Sequence, residues 1–186
     1  MDTSVKGMHE AQIATTDEGL EAQDDGWFVL NAAEIRWYTL PDTGTWCSFE
    51  APSARNRQIG AGIHVLPPGH TTGKYHAESG QEGFLVLEGE CLLVVEGQER
   101  LLRRWDYFHC VPGTAHILVG TGDRPCALFM FGGRGGTTDY LPDPVAARHG
   151  AAVAEHTQDA DVAYADRVGE ITPTRAPWPP ETWTQP

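Results

Sequence analysis

A chain of 186 residues with 40% hydrophobic and 21% charged content has the size of one domain with tails, which excludes a multidomain machine. A globular chain of this length buries roughly 70% of its unfolded surface, so its core needs neither disulfide nor metal and any metal it binds is functional. Thirteen Lys and Arg against 26 Asp and Glu leave a net charge of −13, which repels phosphate backbones and anionic membranes and argues against nucleic acid as a partner.

Residues 1–25 carry Asp2, Glu10, Asp17, Glu18, Glu21, Asp24 and Asp25 against a single Lys and show no apolar periodicity. They read as a flexible acidic arm with at most a short helix over 17–22, with order beginning at Trp27. The segment 26–57 follows with short runs rich in aromatic and β-branched residues, Trp27 to Leu30, Ile35 to Leu40 and Trp46 to Phe49, around a turn at Pro41-Asp42-Thr43-Gly44. These predict edge strands packed on a core made later in the chain.

From Gln58 to Phe131 the pattern repeats about every ten residues, the spacing of an all-β sandwich or barrel. The predicted strands are Ile59 to Leu66, Lys74 to Ala77, Phe84 to Leu87, Cys91 to Glu96, Arg100 to Arg104, Tyr107 to Val111, His116 to Val119 and Cys126 to Phe131, punctuated by glycines. Without helices between them they cannot form a parallel sheet, which leaves a closed antiparallel barrel or jelly roll over 58–132. In the remainder, 133–186, Gly133 to Thr138 reads as a link, and Asp143-Pro144 to Gly150 as a short helix with an N-cap Asp, Pro at its first position and a closing Gly. A second helical patch is predicted over 159–167, and 171–186 form a Pro- and Trp-rich arm that packs on the barrel or on a second subunit.

No stretch approaches the ~18 apolar residues of a membrane helix, and the first residues lack the basic and apolar regions of a secretory signal, so the expectation is a cytoplasmic protein without a membrane partner. Cys47, Cys91, Cys110 and Cys126 form no CxxC pair and read as free, buried thiols. His109 and Cys110 are adjacent on one predicted strand, so they face opposite ways and cannot act as a nucleophilic pair. Trp37, Trp46, Phe84, Phe108 and Phe129 are candidates for the core or the wall of a pocket.

The chemistry concentrates in Pro68 to Glu90, which contains His76, Glu78 and Glu82, and in Val111 to His116. His76 and Glu78, two apart on one strand, point to the same face. Glu82 across a turn and His116 from another strand complete two imidazoles and two carboxylates, a set that suits a divalent metal. His70 either caps the mouth of such a pocket or is a solvated loop residue.

The spacings His76-x-Glu78-x3-Glu82-x6-Gly89 and Gly113-x2-His116 resemble the two motifs of the cupin superfamily. The resemblance implies a double-stranded β-helix with one metal ion per chain, Fe, Mn, Zn, Ni or Cu, held by His76, Glu78, Glu82 and His116, and a homodimer. Glu78 stands where the family has its second histidine, Gly120 where the second motif ends in Asn, and Val111 where that motif has Pro, with Pro112 one place later. If Glu78 ligates, two carboxylates neutralise a dication; if it turns away, His76, Glu82 and His116 form the two-histidine, one-carboxylate face that leaves positions open on non-heme Fe(II), and Glu78 serves as a base or an orienting partner. The expected function is a metal-dependent dioxygenase or oxidase acting on a small molecule. The alternatives are a metal-dependent isomerase or lyase, and a non-catalytic ligand-binding or sensing barrel.

Overall fold

The computed structural model describes residues 9–51 and 58–177. Every named strand pairing among them is antiparallel, and two sheets face one another. The larger combines β3 (Trp37–Leu40), β4 (Gly44–Ser48), β5 (Ile59–Leu66), β7 (Glu82–Glu88), β10 (Tyr107–Cys110), β12 (Cys126–Gly133) and β14 (Thr172–Thr174) in the order β10-β7-β12-β5-β4-β3-β14. The smaller combines β6 (His76–Glu78), β8 (Glu90–Val95), β9 (Gln98–Arg103), β11 (His116–Gly120) and β13 (Thr138–Tyr140) in the order β13-β6-β11-β8-β9. This is the jelly roll that the spacing predicts, followed among the described residues by two short helices, α1 (Pro144–Ala147) and α2 (Ala160–Ala163).

Alternation along the strands places the core. Phe84, Val86 and Leu128 of the larger sheet meet Cys91, Leu93 and Leu118 of the smaller one in a continuous buried cluster. The other face of the smaller sheet, through Val94, Ile117 and Val119, is covered by Tyr75 and by Ala146 of α1. Asp143 caps that helix as predicted, its carboxylate accepting from the Val145 and Ala146 amides. A third cluster joins Trp37, Cys47, Val65 and Ala127 on the larger sheet, and the fully buried Trp37 donates its indole N–H to the Ala32 carbonyl at 2.7 Å. All four cysteines are buried and unpaired.

Several expectations are corrected. The acidic segment is ordered before Trp27: β1 (Ile13–Thr16) and β2 (Gly19–Ala22) form a hairpin where a short helix was expected over 17–22, and Trp27 itself is about half exposed. Glu18 and Glu21 turn their charge on Arg36, at 3.7 and 3.1 Å, which removes the repulsion that an isolated acidic arm would feel. The run Trp27 to Leu30 forms no strand, whereas β4 joins β5 directly and so extends the barrel sheet. Past the barrel, β13 and β14 add strands that the sequence pattern did not reveal. Of the arm over 171–186, residues 172–174 pair with β3; its two tryptophans, Trp178 and Trp183, lie outside the described residues.

Two glycines are dictated by close approach. Gly89 makes the β7–β8 turn at φ +72°, a conformation that side chains disfavour. At Gly120 a Cβ would run into the Pro67 carbonyl, which is why Asn is not tolerated where the second motif would place it.

Candidate metal centre

The pairing of β6 with β11 sets His76 opposite His116, with their rings 4.9 Å apart, and Glu82 enters from the facing sheet at the start of β7. One ligand atom from each of His76, Glu82 and His116 lies within 4.8 Å of the others. The tautomers follow from partners that can only accept: His76 Nδ1–H donates to the Lys74 carbonyl at 2.7 Å and His116 Nδ1–H to the Thr114 carbonyl at 3.1 Å. In the neutral imidazole each Nε2 then carries the lone pair that binds metal. Glu82 Oε2 lies 3.5 Å from His116 Nε2, is buried, and has no hydrogen-bond partner among the described residues. An orphaned carboxylate oxygen beside two imidazoles held in the ligating tautomer is a donor set that a divalent cation satisfies, so the residues fit the implied metal.

The electrostatics agree. Burial, helped by the negative charge of Glu78, pushes the Glu82 carboxyl up to about 7. Burial, with His76 beside it, drives His116 down to about 4, so its ring is neutral at physiological pH. Phe84 and Phe108 close on the His116 ring at 5.1 and 5.6 Å and hold it in place.

Glu78 stands one step outside the group of three. Its Oε1 is 3.9 Å from His76 Nε2 and accepts the Thr138 hydroxyl at 3.1 Å. His70, half-buried in the loop before β6, does not join the group. His109 is exposed while Cys110 turns inward, as alternation requires. Sequence reasoning missed that Cys110 Sγ then lies 3.5 Å from His116 Nδ1. Burial and the charge of Glu82 push that thiol up to about 12, which keeps it protonated and makes it a packing partner of the imidazole.

Tyr140 was also missed. Its register partner in β13–β6 is His76, and the two rings are 6.1 Å apart. Tyr164 packs edge-on against Tyr140 at 5.5 Å and accepts the Lys74 amide, so the α2 region secures the strand that carries His76. No local pattern signals a tyrosine whose role depends on a pairing so far along the chain.

Residues 62–132 match the family model for the cupin domain. Among solved structures, the chain is similar to a sugar phosphate isomerase from a cupin superfamily of Silicibacter pomeroyi, at 21% identity over 69% of this chain and 85% of that one, with a TM-score of 0.51. It is also similar to a cupin 2 domain-containing protein from Halorhodospira halophila (15% identity, 57% and 75% of the two chains, TM-score 0.48) and to a DMSP lyase from Ruegeria pomeroyi (22%, 48% and 46%, 0.41). No curated protein matches the chain. The jelly roll and the matched segment together identify residues 62–132 as resembling a cupin domain. At these identities the likeness concerns the fold, and the reaction has to be argued from the site.

Proposed function

We propose that the protein is a metal-dependent enzyme acting on a small organic molecule, with oxygen-using chemistry of the dioxygenase or oxidase type. The observation that carries this reading is the convergence of one ligand atom each from His76, His116 and Glu82 within 4.8 Å of one another. These three residues would hold a divalent metal such as Fe(II), which when bound would supply Lewis-acid and oxygen chemistry beside the substrate.

The chain's own groups do the rest. The Lys74 and Thr114 carbonyls fix both imidazoles in the ligating tautomer. Phe84 and Phe108 exclude water from the His116 side. Glu78, held by Thr138 and outside the group of three, is placed to accept a proton from a substrate at its carboxylate. The same position of Glu78 favours a second reading, an isomerase or lyase in which proton transfer is the main event.

Metal content by mass spectrometry tests the proposal, on untagged protein purified without chelators beside a folded H76A/H116A variant. About one metal per wild-type chain and almost none in the variant is expected, followed by oxygen uptake when the metal is iron. Equal emptiness of both proteins after anaerobic loading with Fe(II), Mn(II) and Zn(II) would overturn it in favour of a non-catalytic ligand-binding barrel.

A further inference from the structure

Beside the group of three, a cavity of about 510 Å³ runs from Glu82 along the larger sheet towards Arg36. Its lining brings the apolar and aromatic side chains of Phe28, Tyr38, Trp46, Met130 and Phe131 beside a few charged ones. Strand register explains the room inside. Gly132 pairs with Gly60, and Met130 pairs with Gly62, so three glycines in neighbouring rows leave the strands bare. Volumes of this order hold molecules with one or more rings.

The charges in this cavity are already matched. Arg36 faces Glu21 at 3.1 Å and Glu18 at 3.7 Å, and the Arg134 guanidinium, spread over Gly60, pairs with the buried carboxylate of Glu50. His64, also in the wall, is buried, and burial drives it down to about 4, so it adds no positive charge. Glu82 adds another carboxylate at the far end. A phosphate dianion entering here would meet no unmatched cation and would pay for desolvation without compensation. Two polar atoms of its lining residues, Glu82 Oε2 and Arg36 Nε, have no hydrogen-bond partner among the described residues, but Arg36 Nε is closed off from the cavity by burial and offers no free donor there.

We infer that this cavity binds an uncharged, ring-bearing molecule against its aromatic side chains, and that it selects against phosphorylated substrates. The inference rests on the proposed function in taking this molecule as the substrate whose far end reaches Glu82. It gives the substrate class a chemistry unlike that in the name of the Silicibacter pomeroyi isomerase.

Three probes sharing one naphthalene test it by calorimetric titration of the full chain kept metal-free: 2-acetylnaphthalene, 2-naphthoate and 2-naphthyl phosphate, with glucose 6-phosphate as a phosphate lacking the rings. The ketone is expected to bind about tenfold or more tightly than the naphthoate, with the two phosphates weakest. Trp46→Ala removes a wall and is expected to weaken the ketone about tenfold while circular dichroism shows the fold intact. Binding of either phosphate as tight as the ketone, or ketone binding untouched by Trp46→Ala, overturns the inference. So does an absence of ketone binding in a chain that takes up metal at His76, Glu82 and His116. Ketone binding in a chain that never takes up metal sustains the cavity assignment and removes the proposed enzyme instead.

Discussion

The group around His76 and the cavity beside it meet at Glu82, yet they are built in opposite ways. The group is assembled from polar atoms whose orientation is set by short backbone hydrogen bonds close in sequence: His76 to Lys74 and His116 to Thr114, each two residues away. The cavity is assembled from side chains that are missing, at Gly60, Gly62 and Gly132, and from aromatic rings brought in by β3, β4 and the segments around the N-terminal hairpin. Most of its aromatic wall lies outside the segment that matches the cupin model, residues 62–132. In the proposed function, reactivity belongs to the barrel motif and selectivity to what the chain adds around it.

The largest effects should break one half of this comparison and spare the other. H76A/H116A is expected to lower metal affinity by more than ~100-fold, beyond the loss that substitution of outer partners brings, while leaving the cavity's ketone binding within about twofold; equilibrium dialysis and calorimetry read the two separately. Trp37→Ala acts on the other side. Removing a fully buried indole that also donates to Ala32 is expected to cost about 3–5 kcal/mol in urea unfolding, as for large-to-small changes in cores generally.

Next comes pH, in metal-free protein. Glu82, raised to about 7 in the fold, retains a proton that the unfolded chain releases from its ordinary value of 4.5, so its contribution to stability is full below about 4.5 and is lost as pH rises to about 7. His116, lowered to about 4 from 6.5, works the other way: its contribution is full above about 6.5 and is lost as pH falls through about 4. The two slopes oppose one another between about 4.5 and 6.5, so wild-type stability should vary little there. Glu82→Gln should unmask a rise with pH across that window in denaturant midpoints; a flat profile in the variant would contradict the assignment.

The smallest change separates the two roles of Glu78. With Thr138 holding its carboxylate outside the group of three, Glu78→Gln is expected to change metal affinity by less than about tenfold, within the range for an outer partner. Turnover should fall more than that. Loss of metal comparable to H76A/H116A would make Glu78 a ligand.

What could be read in the sequence follows the same division. Strands from Ile59 to Phe131 were legible because alternation and glycine turns are local signals, and the placement of β5, β7, β8, β11 and β12 agrees with them. His76, Glu82 and His116 were legible as a set because their spacing survives whatever surrounds them. The β1–β2 hairpin was not, since its half-exposed strands depend on a distant arrangement: Leu20 bridges to Ile35, and Arg36 answers Glu18 and Glu21. Arg36, Tyr38 and Tyr140 carried no signal for a related reason. Each matters through a partner fixed by register or by packing, and neither is written in neighbouring residues.

The pairing of β14 with β3, Thr172 against Thr39, has a kinetic consequence. This edge of the larger sheet can close only after almost the whole chain between those residues has been brought together, and such long loops are slow to form. Until then β3 carries an open ladder of amides and carbonyls next to the aromatic wall, a state prone to pairing with another molecule. Refolding should therefore show a late phase in which this edge is sealed, with its yield falling as protein concentration rises.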